Sequence, residues 1–209
     1  MIKFENIEVA GIRNAIRGMR NPKKSWAKSD SYYDENGFYV LGKNDIDLAR
    51  RLYTGGPEHR KFMRQIFVSF DITSHHAFWA EFDTYKVGVT RDSCSKMHTI
   101  HVKSFERDDF SHEGIDEVGG QAARTFGKTI ETLEWLRGRF NESHEKKYWR
   151  AMIELLPCGY NLKATVSMNY EVAANMIRQR STHKLDEWRE MCKMLSCLPY
   201  LKEIMNENQ

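Results

Sequence analysis

The sequence predicts an α+β fold, and two patterns carry that expectation. The segment "RQIFVSFDIT" alternates strictly, with Ile66, Val68, Phe70 and Ile72 set against Gln65, Phe67, Ser69 and Asp71, the period of a half-buried strand. Most of the second half instead repeats its apolar residues at helical spacing, from Phe126 through Leu133 to Leu195. A few strands among many helices define the class.

In chain order, the segment from Asn6 to Met19 is expected to be helical, with Arg13, Arg17 and Arg20 on one face. That stripe reads either as a phosphate-facing surface or, with about twice the weight, as a solvated helix face. "NPKKSWAKSD" reads as loop. A short helix follows, with Asn44 as N-cap, Ile46, Ala49 and Leu52 along one side, and Gly55-Gly56 at its end. After the alternating strand, "SHHAFWAEFD" is expected to be helical and "HTIHVKSF" to be a second short strand. "ERDDFSHEGIDEVGG" is a polar connection. Helices are then expected from Gln121 to Phe140, through Trp149, Met152, Ile153 and Leu156 up to Pro157, from Thr165 to Arg180, and from Leu185 to Leu195.

The chain's 209 residues fit one domain, residues 1–209, with a full core. Hydrophobic residues make up 41% and aromatics 12%, a globular composition. A net charge of +3 suits an anionic small ligand but lacks the strong basic bias of a nucleic-acid binder. No apolar run has the length of a signal peptide or of a membrane helix, and no two of the four cysteines stand in CxxC spacing. The expectation is a cytoplasmic protein with free thiols.

Chemistry concentrates in "TYKVGVTRDSCSKMH". Lys86, Arg91 and Lys96 lie there with Thr90, Ser93 and Ser95, a mix of cations and hydroxyls that suits a phosphate. Cys94 has cationic neighbours that favour a thiolate, although the sequence offers no base for it. His98 and His101, three apart on a strand, would diverge, so no metal site is expected. Asn169, Asn175 and Arg180 fall on one expected helix, with Asn169 and Arg180 sharing a face as a ligand wall would. Buried amides bonded to backbone explain the asparagines equally well.

Together these segments resemble the flavin-dependent thymidylate synthases, whose signature has the form RHRxxSxNExSxRY. "TYKVGVTRDSCSKM" lies on it without gaps. Thr84-Tyr85-Lys86 stand where the family has Arg-His-Arg, Asp92 in place of Glu, Cys94 in place of the second Ser, and Lys96 in place of the last Arg. "ELLP" at Glu154 to Pro157, then Asn169, Asn175 and Arg180, match the family's helix ending in Leu-Pro, its two asparagines six apart and its arginine five further on. Ile153 stands where the family has an arginine; the nearest one here is Arg150, one turn earlier.

The resemblance covers roughly Asn44 to Leu195 and implies a small antiparallel sheet packed with several helices. It also implies a homotetramer, FAD as cofactor, methylenetetrahydrofolate as carbon donor and a pyrimidine nucleotide, dUMP, as substrate, in a divergent branch of the kind carried by mobile genetic elements. By position, Arg180 takes the nucleotide-pairing and electrostatic role. Lys96, Ser95, Cys94, Arg150 and Glu81 fall to the substrate, and Tyr85, Lys86, Asp92, Asn169, Asn175 and His59 to the flavin. The alternative expectation is a non-catalytic relative that binds a nucleotide or a protein partner without flavin chemistry.

Overall fold

A computed structural model describes residues 2–206. The elements run β1 (Lys3–Ala10), α1 (Ile12–Gly18), β2 (Tyr32–Tyr33), β3 (Tyr39–Val40), α2 (Lys43–Thr54), β4 (Phe67–His75), α3 (His76–Phe82), β5 (Val89–Ser93), α4 (Lys96–Thr99), α5 (Glu113–Val118), α6 (Gly120–Ser143), α7 (Lys146–Leu155), β6 (Asn161–Asn169), α8 (Tyr170–Arg180), α9 (Asp186–Ser196) and α10 (Leu201–Met205). Short 3-10 turns occur at Asn21–Lys23, Trp26–Lys28, Arg60–Gln65 and Arg107–Asp109. The class is α+β, with a small antiparallel sheet among many helices. Strand order in that sheet is β1-β4-β6-β5, while β2 and β3 form a separate antiparallel hairpin.

The hydrogen bonds give the register. Tyr170 N donates to Ile66 O, and His76 N to Cys158 O, so one strand is climbed as the other is descended. Cys94 N donates to Lys163 O, which ties the start of β6 to the end of β5. In β4 the alternation read from the sequence is the buried face: Val68, Phe70 and Ile72 are each 1% exposed or less.

Three expected elements differ from the structure. Asn6 to Ala10 is part of strand β1, not helix, and the helix starts only at Ile12. Asn6 takes a positive φ of 54° and most of β1 is exposed, so little apolar alternation advertises the strand. Thr165 to Asn169 is the end of β6, so the first five residues of the expected long helix are strand and only its remaining eleven form α8. "HTIHVKSF" is not a strand: His98 lies in α4 and His101 in the turn after it. The start of α2 is also capped differently. Asn44 is not its N-cap; Gly42 holds that position, and Asp30 accepts hydrogen bonds from the backbone of Asn44 and Asp45.

The chain forms two compact units. The first takes the chain up to Phe4, Asp71–Tyr85 and Asp92–Thr165. Its core is a cluster of Ile100, Phe105, Phe110, Phe126, Leu133, Leu136 and Met152, with Phe110 and Phe126 edge to face at 5.5 Å. Each such side chain contributes about 1.5–3 kcal/mol by leaving water. Trp79 is tied down through its indole N–H, which donates to Ser74 O and Leu162 O.

The second unit takes Glu5–Phe70, Lys86–Arg91 and the chain from Val166 onward. There α8 packs on α9, α10 on α2, and α1 on the 3-10 turn before β4. Gly11, with φ +90°, lets the chain pass so close that a Cβ would sit 2.2 Å from Gln65 O. Arg20 is not part of a solvated stripe but is 4% exposed. Its Nε donates to Asp45 Oδ1 at 2.6 Å, while the hydroxyls of Ser29 and Ser31 donate to Oδ2. Burial opposes ionisation of Asp45, but those hydrogen bonds outweigh it and hold the carboxyl below the usual range.

Candidate functional site

The signature-like stretch divides between the two units. In the first, Cys94 and Ser95 are exposed at the junction of β5 and α4, with Ser95 at the N-cap position of that single helical turn. Lys96 follows, half-buried, its Nζ 3.1 Å from His76 Nε2. The Lys96 ammonium can only donate, so this contact is a hydrogen bond when the ring nitrogen it faces carries no proton. Thus a lysine, a hydroxyl and a thiol follow one another at this junction, groups of the kind that can donate to an anion. Trp149 fixes the segment from α7, donating its indole N–H to Met97 O at 3.3 Å. Arg150, next along α7, is ion-paired with Glu154 at 2.7 Å and well exposed.

Three more expected residues belong to the first unit. Glu81 is half-buried near the end of α3, and its carbonyl accepts from Thr84. Tyr85 is half-buried in the turn that follows, and Asp92 is exposed on β5.

In the second unit, Asn169 stands at the corner between β6 and α8 rather than inside a helix. Its Oδ1 accepts from Val172 N at 3.0 Å, which caps α8. The turn carrying Lys86 passes directly against it. Gly88 adopts φ +77°, and a Cβ there would lie 3.0 Å from both Asn169 Nδ2 and Val172 Cγ2. The structure therefore brings Gly88 against Asn169, with Lys86 exposed two residues before the glycine. Arg180 ends α8, and its guanidinium carbon lies 4.9 Å from the ring centre of Trp188. Asn169 and Arg180 stand at the two ends of α8, eleven residues or about 16 Å apart along its axis. Asn175, between them, accepts from Arg178 Nη2 at 2.9 Å. His59 lies 3.4 Å from Glu58 and lines a cavity of about 460 Å³ with Gly18, Met19, Phe62 and Gln65.

Two solved structures are similar to this fold over its whole length. Both are of the flavin-dependent thymidylate synthase ThyX from Helicobacter pylori, complexed with FAD and dUMP. One is 18% identical, with 99% of this chain and 98% of that chain covered and a TM-score of 0.68. The other is also 18% identical, with 100% and 98% covered and a TM-score of 0.69. The chain has the ThyX fold. No protein-family model and no curated protein matches the sequence.

Within that ThyX fold, His76 is a polar partner of Lys96 to which the sequence reading gave no role. Among the described residues no group of three or more His, Cys, Asp and Glu side chains is placed to hold a metal ion. What could have singled out His76 is its position, at the first turn of a helix leaving a buried strand. No helix among the described residues is long and apolar enough to cross a membrane. All four cysteines are free thiols, Cys192 buried and the others exposed.

Proposed function

We propose that this chain is a flavin-dependent enzyme that methylates C5 of a pyrimidine nucleotide, dUMP to dTMP in type, with methylenetetrahydrofolate as carbon donor. The end-to-end likeness to two ThyX structures that hold FAD and dUMP carries the reading. The donor set beside Gly88 fits FAD: Lys86 supplies an exposed cation, and the absence of a Cβ at Gly88 leaves room at Asn169 Nδ2. Bound flavin would supply a hydride to the pyrimidine carbon.

The chain's own residues then bind and orient. Lys86, Asn169 and Asn175 hold the flavin, with Tyr85, Asp92 and His59 as further contacts. Lys96, Ser95 and Cys94 cradle the nucleotide phosphate, with Arg150 and Glu81 assisting. Arg180 balances the charge that develops on the pyrimidine, and no protein nucleophile is needed. The assembly is a homotetramer that works in the cytoplasm and represents a divergent, mobile-element type of the enzyme.

A second reading, a relative that binds a nucleotide or a protein without flavin chemistry, has its own support. Asn175 Oδ1 is bonded to Arg178, Arg150 is paired with Glu154, and Arg180 is stacked on Trp188, so polar groups the chemistry would use already have internal partners. Titrating the purified chain with FAD separates the two. The enzyme reading expects a yellow protein whose flavin affinity falls at least tenfold in Lys86→Ala. A colourless protein that takes up no added FAD would leave only the second reading.

A further inference from the structure

The second compact unit contains a cleft of about 330 Å³ between α1 and the β2–β3 hairpin. Its cationic wall is Arg13 and Arg17, four apart on α1 and therefore neighbours on one face, with Arg20 behind them. Its aromatic wall is Trp26, Tyr32, Tyr33 and Tyr39. None of the residues assigned above to flavin or dUMP lines it.

The two kinds of wall are differently committed. Arg20 is neutralised by buried Asp45. Among the described residues, no carboxylate is ion-paired with Arg13 or Arg17. The Arg13 guanidinium instead lies 5.6 Å from the Tyr33 ring centre, which holds cation and ring side by side. Trp26, Tyr32 and Tyr33 are 46%, 58% and 53% exposed, a dense set of open rings. They are held in place: the Trp26 indole donates to Asn21 Oδ1 at 2.9 Å, and Tyr33 packs 5.3 Å from Tyr39 across the hairpin. Uncompensated guanidinium groups favour a phosphate, bound bidentately. Open, pre-positioned rings favour a flat partner, and bases stack on them whatever their sequence. The volume lies in the range of small-molecule sites.

We propose that this cleft binds a nucleotide unit, its phosphate on Arg13 and Arg17 and its base on Tyr32 and Tyr33. The unit comes from a free mononucleotide or from a single strand. A second, more open cleft of about 690 Å³ shares Arg20 and adds Lys28 and Arg51, where the next phosphates of a strand would lie.

Calorimetric titration of the full chain with dTMP, a short oligothymidylate and inorganic phosphate tests the proposal. Each titration is repeated in Arg180→Gln, which removes the arginine assigned to the proposed catalytic site. Binding at the cleft persists in that variant and weakens at least tenfold in Arg17→Gln and in Tyr33→Leu. Both substitutions fall on exposed side chains, and circular dichroism confirms that they fold. Equal binding of dTMP and the strand assigns a free nucleotide; tighter binding of the strand, relieved by Lys28→Gln or Arg51→Gln, assigns single-stranded nucleic acid. The proposal is overturned if neither ligand binds, if binding is insensitive to Arg17→Gln and Tyr33→Leu, or if phosphate alone binds as tightly as dTMP.

Discussion

The same device is built twice in this molecule, and the sequence displays it clearly only once. β4 ends on His75, whose ring nitrogen accepts from Phe78 N at 3.4 Å as α3 begins. β6 ends on Asn169, whose Oδ1 accepts from Val172 N at 3.0 Å as α8 begins. In both cases a strand with one buried face turns directly into a helix at a side-chain cap. β4 uses Val68, Phe70 and Ile72, β-formers that mark the period unmistakably. β6 has the same alternation, with Ala164, Val166 and Met168 at 2%, 0% and 1% exposure, but alanine and methionine favour helices. The propensity of those two residues runs β6 into α8 in the sequence and hides the corner. Burial on the sheet outweighs the propensity, which is worth only tenths of a kcal/mol per residue.

That difference can be broken or sharpened by substitution. Met168→Ala should cost about 2–5 kcal/mol, as should Ile72→Ala, because both lie on buried strand faces. Urea unfolding reads both, and a Met168→Ala loss below 1 kcal/mol would remove β6 from the comparison. Gly88→Ala is next, at about 1–2 kcal/mol, since an L-residue resists φ +77° and its Cβ would press on Asn169 and Val172. Asn169→Ala should cost about 1 kcal/mol through the lost cap, whereas Asn169→Asp keeps the acceptor and most of the stability. The same pair separates structure from chemistry: stability should follow Oδ1, while flavin affinity should follow Nδ2 and fall in both variants. The smallest effect, within about 0.5 kcal/mol, is expected for Ser167→Ala, on the other face of β6 from Met168. A larger loss there would mean that Ser167, not Met168, faces the core.

Much of the fold was legible where one signal dominated. The helical spacing of Phe126, Leu133 and Leu136 places α6, and Pro157 marks the end of α7 because it cannot continue a helix. β1 was not legible, because an exposed strand such as "KFENIEVA" offers little apolar alternation. The β2–β3 hairpin and the Arg20–Asp45 pair were missed for a related reason. Arg20 and Asp45 are distant in sequence, and nothing local shows that two charged residues will be buried together. The spacing of Asn169, Asn175 and Arg180 was legible as a spacing, but its geometry was not. Reading one helix put Asn169 inside it, whereas the structure makes Asn169 the last residue of β6 and the cap of α8. The contact of Gly88 with Asn169 joins the signature-like stretch to that region in a way sequence separation conceals.

The central claim is methyl transfer to a pyrimidine nucleotide under flavin control. It is tested most directly by incubating the FAD-loaded chain with dUMP, methylenetetrahydrofolate and a flavin reductant, and analysing the nucleotide by mass spectrometry. The account predicts dTMP, formed only when FAD is present and lost in Arg180→Ala. Unchanged dUMP from a chain that has bound FAD and nucleotide would contradict it.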